Sequence, residues 1–175
     1  MKSVFIIVLA VLLTACGSRQ IKPSEIEVNT PHQNLKEIEF VVLLASSSHD
    51  PKKFKEFARE VVKSQGFSNV LNHTEYARLI IEKGLEDKIE AKYDLISLHK
   101  AYKELGEFLV IQFSSNYLGG SWHNIYLKVV DAKSSETLLN AGKEGQAWSS
   151  KKAEFVDPMV TLFKEWKNSS VELQP

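Results

Sequence analysis

Ile38-Glu39-Phe40-Val41-Val42-Leu43-Leu44-Ala45 is the stretch that decides the fold. It is a near-continuous apolar run, the pattern of a strand buried on both faces rather than on one. Such a strand needs a layer on each side. Immediately downstream, Asp50-Pro51 reads as the N-cap and first position of a helix. Phe54, Phe57, Ala58, Val61 and Val62 then recur at i, i+3, i+4, i+7 and i+8, which is one apolar face at helical period. Gly66 ends that helix, and Phe67 to Leu71 reads as a short second strand. Two strands separated by a helix predict a right-handed parallel crossover.

Further downstream the alternation continues. A helix is expected over Thr74 to Lys83, with Tyr76, Leu79 and Ile80 on one side and Gly84 as its stop. Leu85 to Tyr93 is charged and only weakly periodic. Asp94 caps a third helix carrying Leu95, Leu98, Tyr102 and Leu105, and Gly106 closes it. Phe108 to Phe113 reads as a buried strand, Asn116 to Ser121 as a turn around Gly119-Gly120, and Trp122 to Asp131 as a long strand. In that long strand Ile125, Leu127 and Val129 share one face, opposite Trp122 and Tyr126. Further strands are expected around Thr137 to Asn140 and Gln146 to Ser149. A last helix begins at Asp157-Pro158, with Met159, Leu162, Phe163 and Trp166 as its stripe. The order β-α-β-α-α-β-β-β-α predicts an α/β (α+β) domain over residues 37–168. It should be one mixed sheet of about five strands with three to four helices, followed by a disordered tail at 169–175.

Upstream of the deciding strand, residues 16–36 are polar, contain Pro23 and Pro31, show no sustained period and read as a flexible tether. Before them, Lys2 precedes ten unbroken apolar residues, Val4 to Leu13. At about 1.5 Å per residue this run spans about half of a bilayer's hydrocarbon core, too short for a membrane crossing and right for a signal peptide over residues 1–15. The run ends at Leu13-Thr14-Ala15-Cys16, which resembles the lipobox of bacterial lipoproteins. That resemblance implies a diacylglyceryl group on the Cys16 thiol, cleavage before Cys16 and acylation of the new amine. Several acyl chains anchor a protein stably where one gives only marginal binding. Gly17 stands where inner-membrane retention usually calls for Asp, so the resemblance implies the outer membrane, facing the periplasm.

Composition narrows the function. Lys and Arg number 22 and Asp and Glu 22, a balance that gives no electrostatic footprint for nucleic acid. Cys16 is the one cysteine, which excludes an internal disulfide framework and a multi-cysteine zinc site. The five histidines, His32, His49, His73, His99 and His123, show no metal-ligand spacing, so neither a metal nor a cofactor beyond the lipid on Cys16 is expected. Ser46-Ser47-Ser48-His49-Asp50 lies at the carboxyl end of the first strand, where open α/β sheets often bind ligands. Five consecutive loop residues do not converge as a catalytic triad, and no G-x-S-x-G elbow is present. Ser47, Ser48 and His49 are therefore a candidate ligand loop, and no catalytic residues are assigned. Trp122, Tyr126 and Trp148 form a candidate binding patch if the less apolar sheet face is open, and core if helices cover it.

The run of elements is similar to a periplasmic α/β fold seen in the amino-terminal domain of TolB, LpoB-type activators and CsgG-type exporters. The likeness is carried by Phe40 to Leu44, Asn69 to Ile81, Leu98 to Gly106 with Phe108 to Phe113, and Tyr126 to Leu138 (YLKVVDAKSSETL). It departs at Ser135-Glu136, where such hairpins carry glycine, and contains no channel-forming hairpin. Small outer-membrane lipoproteins of Gram-negative bacteria look closest. The resemblance implies a non-enzymatic binding or accessory module for another envelope protein or the cell wall. The alternatives are a homo-oligomeric subunit of an envelope transport assembly, and a small-ligand binder or enzyme using the Ser46 to Asp50 loop.

Overall fold

The computed structural model describes residues 26–28, 38–48, 51–118, 121–143, 161, 163, 164 and 166. The elements are β1 (Ile26–Val28), β2 (Phe40–Ser47), α1 (Pro51–Ser64), β3 (Val70–Leu71), α2 (His73–Glu82), α3 (Leu95–Leu105), β4 (Phe108–Leu118), β5 (Ser121–Asp131) and β6 (Thr137–Lys143). Six strands form one mixed sheet in the order β1-β6-β5-β4-β2-β3. β2 is parallel to both of its neighbours, β3 and β4, and the β4, β5, β6 and β1 pairings are antiparallel.

β2 is the hinge between two cores, as its unbroken apolar sequence requires. Val41 and Leu43 point to one face, where they meet Phe54, Ala58, Val61 and Val62 of α1 together with Leu109, Ile111, Leu127 and Val129. Phe163 and Trp166, both helical and fully buried, join this cluster, and the Phe163 ring lies 5.5 Å from that of Phe113. Phe40 and Val42 point the other way, to Tyr76 and Ile80 of α2, Leu98, Ala101 and Leu105 of α3, and Phe108 and Val110. Phe40 and Phe108 stack at 4.7 Å between centroids. The charged segment before α3 contributes Leu85 and Ile89 to the same core.

Several boundaries differ from the sequence expectation. Ile26–Val28 pairs with β6 and adds a sixth strand inside the stretch read as tether. The second strand is two residues rather than five. Asn116 is paired with His123 after a register shift, so β4 and β5 run on to Leu118 and Ser121 and leave only 119–120 between them. Leu95 is 64% exposed, because the apolar stripe of α3 extends a turn beyond the sheet it covers. The expected strand at Gln146 to Ser149, together with Met159 and Leu162, lies outside the described residues.

Gly106 ends α3 at φ 87°, a backbone conformation that residues with a Cβ rarely adopt, so the return of the chain into β4 requires glycine. Across the sheet, Ala45, Phe113, Leu127, Ala141 and Ile26 form one row. The start of β1 therefore lies at the level of the carboxyl end of β2.

Two stability measurements follow from this packing. Leu127 is fully buried, and Leu127→Ala should cost about 2–5 kcal/mol, against under about 0.5 kcal/mol for the partly exposed Lys128→Ala, read as urea midpoints. Equal midpoints would contradict the register of β5. Tyr76 is enclosed by Phe40, Phe108 and Tyr93, and its buried hydroxyl has no hydrogen-bond partner among the described residues. Tyr76→Phe should raise stability by about 1 kcal/mol, and a lowered melting temperature would show that the hydroxyl is satisfied.

Candidate functional site

The connections leaving β2 diverge. α1 crosses one face to β3, and α2 and α3 cross the other face to β4, so β3 and β4 flank β2 on opposite sides. The carboxyl ends of β2 and β4 therefore form a topological switch point, where open sheets leave a crevice.

The crevice is widened because β3 stops early. Asn72 caps α2 and ends the strand. Its Oδ1 accepts from the Glu75 N–H at 3.0 Å, and its own N–H donates to Glu75 Oε2 at 2.7 Å, a reciprocal capping box. The register to β3 covers only Val41↔Val70 and Val42↔Leu71, with Val41 N–H donating to the Asn69 carbonyl at 2.9 Å. By the two-residue period of a strand, Leu43 and Ala45 direct their backbone groups to the same side as Val41. Beyond Leu71 no strand stands opposite them among the described residues.

The result is a cleft of about 590 Å³. Its floor is Leu43 to Ser46 and Gln112 to Ser114, and one end is closed by Asn72, His73 and Thr74. The wall is the polar stripe of α1, Lys52, Lys55, Glu56 and Arg59, which recur at i, i+3, i+4 and i+7. Arg59 is committed to structure. Its Nη2 donates to the Val70 carbonyl at 2.5 Å and to Glu75 Oε2 at 3.0 Å, and Nη1 donates to Glu75 Oε1 at 3.1 Å. Both side chains are about one-third exposed, so the pair contributes modestly to stability and mainly fixes the wall. Burial raises the Glu75 pKa, but the Asn72 N–H and the Arg59 guanidinium outweigh it and hold the carboxyl below its ordinary value. His73 Nδ1 is hydrogen-bonded to the Tyr93 hydroxyl at 2.7 Å, and burial pushes that phenol up to about 12. Lys52 and Lys55 are exposed and make no ion pair or hydrogen bond among the described residues.

Of the loop named from sequence, only Ser46 lines the cleft. Ser47 sits level with Ser115, and the Ser48 N–H donates to the Ser115 carbonyl at 3.3 Å. Both therefore lie beside the cleft rather than in it, and His49 falls outside the described residues. Tyr126 is 36% exposed, level with Ser114 and of the same strand parity as Val130. Cys16, Trp148 and the Trp122 side chain lie outside what is described. Sequence reasoning missed Lys52, Lys55, Asn72 and Gln112. The signal that could have found them is Asn72-His73-Thr74-Glu75, whose capping-box spacing ends β3 two residues before the helix was expected to start. Among the described residues no group of three His, Cys, Asp or Glu could hold a metal. The cleft offers free amines, amide and hydroxyl groups and an open backbone edge, which together can hold an extended polar ligand.

No family model matches the chain, and no curated protein matches it. Among solved structures it is similar to the PelC dodecamer of Paraburkholderia phytofirmans in space group P6. That match has 9% identity and a TM-score of 0.48, and covers 81% of this chain and 96% of that one. A PelC variant from the same organism, a dodecamer in space group C2, gives 8% identity and a TM-score of 0.47, with 81% and 97% covered. A likeness at this level transfers neither residues nor assembly.

Glu75 links the cleft to pH. A carboxyl whose pKa is lowered by folding contributes stability that is complete above its unfolded pKa and is lost as the pH falls through the folded one. Between about pH 6 and pH 3, wild type should therefore lose more stability than Glu75→Gln. Parallel urea-midpoint profiles for the two proteins would refute the linkage.

Proposed function

We propose that this chain is a lipid-anchored envelope protein facing the periplasm. Its domain is a non-enzymatic binding module for another envelope protein, with the cleft at the carboxyl end of β2 as the docking site. The observation that carries the binding reading is the cleft itself. Among the described residues it combines a strand edge left without a partner with two uncommitted amines, Lys52 and Lys55, in a volume within the about 300–1,000 Å³ usual for ligand sites. The address rests on Leu13-Thr14-Ala15-Cys16 after ten apolar residues. With β1 beginning at Ile26, only residues 17–25 separate the anchor from the sheet, a reach of at most about 35 Å. A module on so short a tether works next to its membrane, and its partner must come there.

The reading has two parts, tested separately. Cys16→Ala should abolish labelling by radioactive palmitate and leave precursor or soluble protein. Unchanged labelling would remove the anchor. For the docking site, a photo-crosslinking amino acid at position 55 should give a discrete crosslinked species in cells, whereas the same group at the exposed Lys103 on α3 should not. Equal crosslinking from both positions would remove the cleft.

A further inference from the structure

The backbone of β2 says what the cleft takes. Leu43 is the last residue whose N–H can reach β3. The Leu43 carbonyl and the N–H and carbonyl of Ala45 follow on the same edge, with no strand opposite and no hydrogen bond among the described residues. These groups repeat at the two-residue spacing of a ladder, which an extended backbone matches and a compact ligand does not. Sheet edges are ordinarily blunted or covered, because they invite pairing with any other strand. Among the described residues the edge is recessed rather than covered. The α1 stripe overhangs it on one side and Asn72 to Thr74 closes its end, so a flat second sheet is kept out while a single strand has access.

The wall sets the charge of the occupant. α1 packs on the face to which Val41 and Leu43 point, so alternate side chains of an added strand meet Lys52 and Lys55. Arg59 is neutralised by Glu75, and Glu56 offsets one of the two lysines. The wall is left cationic by one charge, which favours a segment carrying spaced carboxylates and disfavours a basic one.

We infer that an extended segment of a partner protein, bearing acidic side chains on alternate positions, adds as a strand to the β2 edge at Leu43 to Ala45, beneath Lys52 and Lys55. This deepens the binding-module reading and rests on it.

The test uses the full chain in mild detergent and a phage-displayed library of random ten-residue peptides, with the best binder then synthesised. Enriched peptides should alternate acidic with β-branched residues. N-methylating alternate amides of the synthesised peptide should abolish binding. Lys52→Glu combined with Lys55→Glu, both exposed positions, should weaken binding about tenfold. Ala45→Pro removes one edge N–H, at a position where proline is tolerated because that N–H is unpaired, and should also abolish binding. If Ala45→Pro fails to fold, as read by circular dichroism, the N-methylated peptide and the charge reversal decide. The proposal is overturned if no peptide is enriched, or if the N-methylated peptide binds as well as its parent. It is also overturned if phosphatidylglycerol vesicles, rather than peptides, compete for the site, or if Ala45→Pro converts a self-associated protein to monomer, which would give the edge to a second copy. Crosslinking from position 55 to another protein in cells would persist if that partner binds the cleft by something other than strand addition, so the loss of this inference is distinguishable from the loss of the binding module.

Discussion

Everything in this fold depends on β2 having no solvent face. Its side chains alternate between two cores, so the strand can be stable only if a helical layer is present on each side and a strand flanks each edge. The parallel pairing to both β3 and β4 follows, because each connection must cross over and bring a helix with it. The layers then divide the work. α1 seals the Val41–Leu43 face, and α2 and α3 seal the Phe40–Val42 face. The site lies where this sealing stops, beyond Val42, at the end of the strand that the two cores hold most firmly.

The stop is made by local chemistry. A capping box at Asn72 and Glu75 is worth about 1 kcal/mol to a helix, yet it decides where β3 ends. Arg59 then ties α1 to the Val70 carbonyl of β3 and to the same Glu75. One carboxylate thus caps a helix, ends a strand and positions the wall of the cleft. The surface ion pair contributes little to global stability, and its role is geometric.

Most of the scaffold was legible in the chain because its signals are local and periodic. The doubly apolar run gave β2, the i, i+3, i+4 stripe gave α1, and Asp94 and Gly106 bracketed α3. Leu127 and Val129 fall in the core to which their parity assigned them. Val130, of the opposite parity, is buried as well, because α3 reaches that end of β5. The failures are non-local. Ile26-Glu27-Val28 is too short to register as a strand, and it exists through its pairing with Val28↔Leu139 and neighbouring residues over a hundred positions away. The cleft was half legible. The cleft does lie at the carboxyl end of the first strand, and Ser46 lines it. Ser47 and Ser48 do not line it, because the cleft turns toward the edge that β3 abandons, and no period in the sequence reports where one strand stops relative to another.

The three-residue length of β1 has a mechanical meaning. β1 is the outermost strand of the sheet, and its first residue lies at the same end as the cleft. Tension on the N-terminus in that direction runs along the strand axis and loads the β1–β6 bonds together, in shear. With the anchor proposed at Cys16, the chain between anchor and sheet extends at most about 35 Å while they hold. On that anchoring, the β1–β6 pairing is the first part of the sheet that a pull from the membrane would load.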